Sequence, residues 1–284
     1  MSKSFTKLVE EENNLMVVDA LNLAFRWKHS GATDFAEDYK RTIDSLKKSY
    51  KAKWVIVAAD QGSSSYRKAI FPEYKQNRKD KFAEQTDAER IAFELFFEDY
   101  QKALDHVRDT TTYPVIQFKG TEADDIGAYI SNKVNNGKLA KVDHLWLIST
   151  DRDWDLLLGE RVSRFSYVTR KEYTIHNWDT HYDFPHESYI SIKCLMGDLG
   201  DNVPGAENIG PKRAVALVDQ YGSAFDVAAA LPISSKLKYV QSLNAFGSEQ
   251  ILLNYKLMDL VTYCEDALGD NVHVIDNTIS EYIV

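Results

Sequence analysis

Two short apolar segments stand near the start of the chain, LMVVD at residues 15–19 and WVIVAAD at residues 54–60, and each ends on an aspartate. Short runs of this kind are typical of strands that are buried on both faces of a parallel sheet. Between them, apolar residues recur at helical spacing from Tyr39 to Tyr50. Residues 16–60 therefore predict a β-α-β unit with a right-handed crossover, and hence a parallel sheet.

The same alternation of strand and helix occurs again further along the chain. Residues 115–118 and 144–149 have the composition of strands, and a helix that ends near Asn135 is predicted between them. This second unit also ends at aspartates, Asp151 and Asp153. The whole pattern predicts an α/β fold whose central sheet is mainly parallel and has helices on both faces.

A long helix is predicted between these two units, over residues 82–107. Thr86 and Glu89 fit a capping box at its start. The helix directly follows the stretch 67–81, which carries six bases and two acids. We therefore expect residues 67–110 to be a helical insertion that projects over the strand ends.

Helical signals dominate after Pro185, which follows a predicted hairpin at residues 161–177. Helices are predicted at residues 189–196, 211–221 and 250–260. The expected organisation is an α/β domain over residues 1–184 and a helical domain over residues 185–284.

The composition is that of a globular protein, with 44% hydrophobic and 27% charged residues among 284. No apolar run approaches the roughly 20 residues that a membrane helix needs. The first 14 residues are too charged for a secretory signal. Cys194 and Cys264 fit neither a disulfide framework nor a thiolate metal site. We expect an intracellular protein without a membrane partner.

The net charge of −9 comes from 43 acidic and 34 basic residues, which on average argues against a nucleic-acid partner. The distribution argues otherwise. Nine acids stand in five short clusters, and the remaining 34 acids equal the 34 bases. Basic residues, in turn, cluster at 67–81 and 161–171. The acidic excess is thus concentrated where cations could neutralise it.

The nine clustered acids are Asp19, Asp60, Glu122, Asp124, Asp125, Asp151, Asp153, Asp198 and Asp201. Several of them follow predicted strands directly, and the carboxyl ends of parallel strands meet at one edge of a sheet. Carboxylates held close together repel one another or bind protons unless cations neutralise them. Ligand sets of oxygen alone suit Mg²⁺ or Mn²⁺ rather than zinc. Two such ions could stabilise the attacking and leaving oxygens of a phosphodiester displacement.

Each cluster alone also has an ordinary structural explanation. A single aspartate after a strand is more often a turn or cap residue than a ligand, and the acids at 122–125 could simply complement a helix N-terminus. Residues 151–155 open like a calcium loop, but Leu156 and Val162 stand where that loop needs Gly and Glu. The joint placement of several clusters on one predicted edge favours a metal site.

Six sequence blocks carry a resemblance to a known family. They are VVDALN (17–22), AAD (58–60), PEYKQNR (72–78), TEADD (121–125), STDRDWD (149–155) and GDLGDNVPGAENIGPKRA (197–214). In order and spacing they resemble the structure-specific 5′-nucleases, which are the flap endonucleases and 5′→3′ exonucleases, and the bacteriophage form above all. The resemblance implies a PIN-like core, a helical arch and a C-terminal helix-hairpin-helix that grips duplex DNA. It also implies that the nine acids bind two or more divalent ions, Mg²⁺ with Mn²⁺ as a substitute.

The resemblance further implies roles for residues at the base of the arch. Lys75 and Arg78 match a basic pair that contacts the scissile phosphate and stabilises developing negative charge. From the residues alone, a solvated basic loop is the simpler interpretation. Tyr74, beside them, is a candidate for stacking on an unpaired base.

The segment from Gly205 to Arg213 matches the hairpin of this family. Its backbone N–H groups, including those of Gly205 and Gly210, and the side chains of Lys212 and Arg213 would hold DNA phosphates without reading bases. An ordinary Gly-Pro loop that caps a helix is the alternative. Asn208 stands where the hairpin usually has Gly, a replacement that the left-handed tolerance of asparagine allows.

Two further residues depart from the family pattern. Ala20 replaces the Gly that usually follows the first aspartate, and Arg152 lies between two of the expected ligands. A charge at Arg152 could perturb metal binding if the side chain pointed inward. The geometry at a strand end should point it away from Asp151 and Asp153.

The function that the resemblance implies is a divalent-metal-dependent 5′-nuclease. It would hydrolyse phosphodiesters near the junction of single strand and duplex in branched or 5′-flap DNA and in RNA-primed DNA. Its expected role is removal of flaps and RNA primers in phage DNA replication, as a monomer in the cytoplasm of an infected bacterial host. One alternative is a catalytically inactive, structure-specific DNA-binding protein of the same fold. Another is a PIN-type RNase that prefers single-stranded RNA.

Overall fold

The structure is a computed structural model that describes residues 11–284. Its strands are β1 (Glu12–Asp19), β2 (Ala52–Ala59), β3 (Val115–Gln117), β4 (His144–Ile148), β5 (Val162–Ser166) and β6 (Lys171–Tyr173). They form a six-stranded sheet in the order β3-β2-β1-β4-β5-β6. Strands β1 to β5 are parallel, and β6 pairs antiparallel with β5 as the predicted hairpin. The mainly parallel sheet is therefore confirmed.

Helices fill the connections between the strands and the whole C-terminal third of the chain. They are α1 (Ala20–Ser30), α2 (Ala36–Ser49), α3 (Ser65–Ile70), α4 (Gln76–Ala83), α5 (Asp87–Thr110), α6 (Ala123–Asn135), α7 (Tyr189–Met196), α8 (Pro211–Tyr221), α9 (Ala224–Ala230), α10 (Lys238–Met258), α11 (Leu260–Leu268) and α12 (Asn271–Tyr282). Within residues 11–284, no helix is long and apolar enough to span a bilayer. The prediction about a secretory signal concerns residues 1–14, of which residues 1–10 lie outside the described range.

Side chains along β1 alternate between two hydrophobic layers, because successive residues of a strand point to opposite faces. Leu15 and Val17 pack in the layer that also contains residues of α6, α11 and α12. Met16 and Val18 pack in the opposite layer, with residues of α1, α2 and α5. Helices therefore cover both faces of the sheet, as predicted.

The predicted insertion at residues 67–110 divides into two parts in the structure. The capping box of Thr86 and Glu89 is present at the start of α5. From Phe96 to Val107, however, the inner face of α5 is buried in the layer that covers β1 and β2. The second half of α5 is thus part of the sheet domain, because its apolar residues recur at helical spacing and face the sheet. The projecting part is shorter than predicted.

The last two helices also differ from the predicted division of the chain. Helices α7 to α10, at residues 189–258, share a hydrophobic cluster of their own, and we call them the helical lobe. Residues 260–283, by contrast, are buried in the layer that contains Leu15, through side chains such as Ile275 and Ile279. Their apolar residues complete the core of the sheet domain, so α11 and α12 belong with that domain by packing.

The packing of α12 gives a direct test in two adjacent residues. Ile275 is completely buried, whereas Val274 is 50% exposed. Ile275→Ala should lower the free energy of unfolding by about 2–5 kcal/mol, because it leaves a cavity against the sheet. Val274→Ala should change it by no more than about 0.5 kcal/mol. Urea unfolding measures both values, and equal effects would contradict the docking of α12 on the sheet.

Candidate active site

The carboxyl ends of β1, β2 and β4 meet the N-terminus of α6 at one edge of the sheet. Asp19 caps α1 and accepts a hydrogen bond of 2.7 Å at Oδ2 from Ser149 Oγ, which follows β4. Asp60, which follows β2, accepts a hydrogen bond of 3.1 Å at Oδ1 from the amide of Ala123. The acids that follow separate strands in the sequence are therefore neighbours in space.

Burial and mutual repulsion raise the pKa values of the carboxylates at this edge. Burial is the main cause for Asp19, whose pKa also rises because of the charge of Asp60. Burial likewise raises the pKa of Asp60, to about 6. The pKa of Asp124 lies well above its usual range because of burial and then of the charge of Asp151. These carboxylates form one cluster, in which the charge of one ionised group makes the ionisation of its neighbours less favourable.

Two cations from the base of the arch neutralise Glu122. Lys75 Nζ donates to Oε1 at 2.7 Å, and Arg67 Nη1 donates to Oε2 at 3.3 Å. Burial tends to raise the pKa of Glu122, but these two charges outweigh it and hold the pKa below its ordinary value. In turn, burial tends to lower the pKa of Lys75, and the charges of Glu122 and Asp201 raise it instead. Both partners are therefore charged at neutral pH.

Asp125 does not have the environment of a metal ligand. Arg67 Nη1 and Nη2 donate to its two carboxylate oxygens at 2.8 Å each, and Asp125 is fully buried. Arg67 also donates through Nε to the carbonyl oxygen of Leu257 in α10, at 2.8 Å. We therefore correct the sequence-based assignment: Asp125 belongs to a buried bidentate ion pair. The sequence showed Arg67 only as one base of a basic stretch, with no local signal for its partner.

Lys193 of α7 enters a second group of acids. Its Nζ forms an ion pair with Asp153 Oδ1 and lies 3.6 Å from Asp198 Oδ2. Burial raises the pKa of Asp153 to about 6, although the charge of Lys193 opposes this rise. Arg152 is exposed, and within the described part of the chain it forms no ion pair with Asp151 or Asp153. The expectation that Arg152 points away from the acids is thus met.

Sequence reasoning missed Lys193 as a site residue. The signal for it was a single lysine in the otherwise apolar helix segment YISIKCLM, residues 189–196. A lysine on the inner face of a buried helix requires a paired anion.

Arg78 and Asp201 join the arch base to the loop after α7. Asp198 Oδ1 accepts hydrogen bonds from the amides of Gly200, at 2.7 Å, and Asp201, at 3.2 Å. The guanidinium of Arg78 binds the Asp201 carboxylate, and its Nε donates to Gly200 O at 3.1 Å. Burial tends to raise the pKa of Asp201, but Lys75 and Arg78 hold it below its ordinary value.

Tyr74, which was predicted to stack on an unpaired base, lies in the interior of the structure. The side chain is 3% exposed and packs in the hydrophobic cluster of the helical lobe. Its hydroxyl lies between two carboxylates, 3.0 Å from Glu122 Oε2 and 2.9 Å from Asp201 Oδ2. The neighbouring Lys75 has a left-handed backbone with φ of 57°. Sequence alone does not show which side chains of such a turn point inward.

Some of these acids are paired with protein cations. Over residues 11–284, no group of three or more His, Cys, Asp or Glu side chains is arranged to hold one ion. Lys75, Arg67 and Lys193 make the ion pairs that balance part of the acidic charge. Asp19, Asp60 and Asp124 are carboxylates whose pKa values are raised by burial and by neighbouring acids. This donor set fits hard divalent cations chemically.

The two glycines of the predicted hairpin have different environments in the structure. The loop at residues 197–210 joins α7 to α8, so the two helices and their connection form the expected helix-hairpin-helix. A Cβ atom on Gly205 would lie 1.8 Å from Met196 O, so only glycine fits there. Gly210 is the N-cap of α8, with open space around it. Asn208 has φ of 63°, which is the left-handed conformation expected of this replacement.

The two basic residues of the hairpin lie at the surface, at the N-terminus of α8. Lys212 and Arg213 are both exposed. Arg213 donates through Nη1 to Asn208 O at 2.6 Å, and its guanidinium lies over the ring of Tyr239, 5.0 Å from the centroid. Two positive side chains are thus displayed together at the start of α8, on a surface that suits phosphate groups.

Family models of the 5′-3′ exonucleases match most of the chain. The N-terminal resolvase-like domain matches residues 14–183, and the C-terminal SAM fold matches residues 184–273. The flap endonuclease of Escherichia phage T5 is 45% identical over 279 residues, which is 95% of this chain and 93% of the relative.

Solved structures of phage T5 proteins have the same fold. The T5 5′-exonuclease with bound divalent zinc ions superposes with a TM-score of 0.89 at 42% identity, over 95% of this chain and 100% of the other. A T5 flap endonuclease in a pseudo-enzyme-product complex with DNA and metal ions gives 0.85 at 42% identity, over 95% and 98%. The sequence-based recognition, the α/β core and the helical second part are thereby confirmed. The chain belongs to the 5′-3′ exonuclease family, whose members are nucleases.

Proposed function

We propose that this nuclease is a structure-specific, divalent-metal-dependent flap endonuclease and 5′→3′ exonuclease. It would hydrolyse phosphodiesters near the junction of single strand and duplex in 5′-flap DNA. The observation that carries the proposal is the cluster of buried carboxylates at the strand ends, with the ammonium of Lys75 beside it. The high identity with the T5 flap endonuclease, over nearly the whole of both chains, supports the substrate class.

Divalent cations are the proposed cofactor, Mg²⁺ in the first place with Mn²⁺ as a substitute, and two or more ions in number. Metal ions in the T5 relatives support this proposal. Two groups of acids would hold them. The first is Asp19, Asp60, Glu122, Asp124 and Asp151, and the second is Asp153, Asp198 and Asp201. When bound, such ions supply an activated water and stabilise the attacking and leaving oxygens.

The chain's own cations would bind and orient the reacting phosphate. The site contains the cations Lys75, Arg78, Arg67 and Lys193. The sequence placed Lys75 and Arg78 in catalysis, and both face the acids from the arch base. Their positive charges would stabilise the negative charge that develops on the phosphate. Arg67 and Lys193 are buried. They would position the carboxylates with which they pair, those of Asp125 and Asp153. Lys75 thus has a place both in the resting ion pairs and in the reaction.

The hairpin would hold the duplex at a distance from the cleaved bond. Lys212 and Arg213 would contact backbone phosphates, which fixes position without reading sequence. Branched and RNA-primed DNA are the proposed partners, with removal of flaps and primers during phage replication as the proposed role. We further propose that the protein acts as a monomer in the cytoplasm of the infected host.

Cleavage of a 5′-labelled flap substrate tests the function. With Mg²⁺ we expect one main product cut at the flap junction, and no product with EDTA or with Ca²⁺ in place of Mg²⁺. Binding without cleavage under Mg²⁺ and Mn²⁺ would support the inactive DNA-binding protein instead. Preferential cleavage of single-stranded RNA would support the RNase alternative.

Metal binding at the carboxylate cluster is testable without turnover. Asp60→Asn should stabilise the metal-free protein at pH 8 by about 1–3 kcal/mol, since one unit of pKa shift is worth about 1.4 kcal/mol. The sign follows from the pKa of Asp60, which burial raises to about 6. Above that pH the Asp60 carboxyl is ionised in the folded protein, and its ionisation costs more free energy there than in the unfolded chain. The amide oxygen can still accept the hydrogen bond from Ala123.

Thermal unfolding in EDTA and in Mg²⁺ measures both effects. Mg²⁺ should stabilise the parent protein and should stabilise Asp60→Asn much less. The exposed residue Glu249 provides a matched control, because Glu249→Gln also removes one negative charge. If Mg²⁺ raises the unfolding temperature of Asp60→Asn as much as that of the parent, Asp60 is not part of the proposed metal site.

Lys75→Ala should lower turnover on flap DNA by about 10²–10³-fold, since it removes a positive group aimed at the phosphate. Affinity for the same DNA, measured with Ca²⁺ in place of Mg²⁺, should change far less. Lys79→Ala is the control one turn further along α4, where the side chain is exposed. Single-turnover rates separate the two variants. A normal rate for Lys75→Ala would exclude Lys75 from the chemistry.

A further inference from the structure

Leu199 is an exposed apolar side chain in a loop that carries two of the site acids. It is 91% exposed, more than any other large apolar residue in residues 11–284. It lies in the loop after α7, between Asp198 and Asp201. A leucine gains free energy when it leaves water. Single exposed leucines are common on protein surfaces, so exposure alone assigns no role.

The backbone on both sides of Leu199 is held in place. Leu199 O accepts a hydrogen bond of 2.6 Å from Asn77 Nδ2 in α4, and the next carbonyl, Gly200 O, accepts one from Arg78. On the other side, Asp198 Oδ1 accepts the Gly200 amide at 2.7 Å. The exposure of the side chain is therefore not that of a loose loop tip. The leucine is displayed by a fixed backbone.

The same short loop is closed at its base. The amide and carbonyl groups of Asp198 and Val203 pair in both directions, at 2.9 and 2.8 Å. The amide of Lys75 donates to Asp201 O at 2.9 Å, which joins the loop to the arch base. Arch base, loop and site acids thus form one connected unit around Leu199.

The neighbours of Leu199 indicate what could cover it. Arg78 hydrogen-bonds to the adjacent residue, and Lys75 lies against Asp201 with an Nζ to Oδ2 distance of 3.6 Å. Cations at this place bind phosphate in the proposed reaction. Each phosphate of a nucleic acid brings a sugar and a base with it, and these have apolar faces. Proteins that separate neighbouring bases do so with apolar wedges such as leucine.

We propose that Leu199 is a specificity-determining residue that packs against the nucleobase next to the scissile phosphate. In this position it acts as a wedge at the junction between single strand and duplex. It sets which phosphodiester enters the carboxylate cluster, while Lys75 and Arg78 hold the phosphate itself. The inference rests on the proposed function, because it needs a DNA junction in the site.

The test compares Leu199→Ala with Leu237→Ala. Leu237 is 55% exposed and precedes α10, away from the acids. Because both side chains are exposed, neither substitution should change the thermal unfolding temperature, and Leu199→Met provides an apolar side chain of similar size. The probe is a flap DNA with 2-aminopurine at the junction nucleotide, bound in Ca²⁺ so that no turnover is needed. The second measurement is the length distribution of products in Mg²⁺.

We expect the parent protein, Leu237→Ala and Leu199→Met to change the 2-aminopurine emission on binding, and Leu199→Ala to lose most of that change. In Mg²⁺, Leu199→Ala should raise the fraction of products cut one nucleotide from the main site by about tenfold. The same emission and the same product lengths for Leu199→Ala as for Leu237→Ala would overturn the proposal. An emission change that depends on Leu199 in a parent protein that does not cut would support the wedge and reject the nuclease function. If the parent protein cuts the flap DNA and Leu199→Ala has no effect, the nuclease function is supported and the wedge is rejected.

Discussion

The carboxylates at the edge of the sheet must be neutralised by groups that the sheet itself does not supply. Burial raises the pKa of Asp19, Asp60 and Asp124, and their charges then raise one another's. The neutralising cations come from elsewhere: Arg67 and Lys75 from the arch base and Lys193 from the helical lobe. Removing one partner of a buried ion pair costs about 3–5 kcal/mol. The charge balance of the site therefore also holds three parts of the molecule together.

This balance divides the acids into two kinds. Glu122 and Asp125 are tied to protein cations by short hydrogen bonds, and Asp125 uses both of its oxygens in this way. Asp60 and Asp124 accept hydrogen bonds from neutral N–H groups, those of Ala123 and Trp154. An added cation would neutralise the negative charge of acids of the second kind. The acidic excess of the whole chain, a net charge of −9, is therefore largely a property of its site.

Much of the fold followed from local patterns. Apolar runs ending at Asp19 and Asp60 predicted parallel strands, and Asn208 could be placed in a left-handed conformation from its residue type. The failures share a physical cause, which is pairing over long distances in the sequence. Asp125 finds Arg67 from 58 positions away, and no periodicity encodes that contact. The hydroxyl of Tyr74 likewise contacts Glu122 and Asp201, which are 48 and 127 positions away.

The helical lobe is anchored to the sheet domain at both of its ends. Tyr189, where the chain enters the lobe, and Leu260, where it leaves, are buried in the same hydrophobic layer under the sheet. In topological terms the lobe is an insertion and not an appended domain. An ion pair from Lys193 to Asp153 and a hydrogen bond from Arg67 to Leu257 O join the lobe to the rest of the molecule as well. The hairpin with Lys212 and Arg213 therefore lies in a segment that the sheet domain fixes at both of its ends.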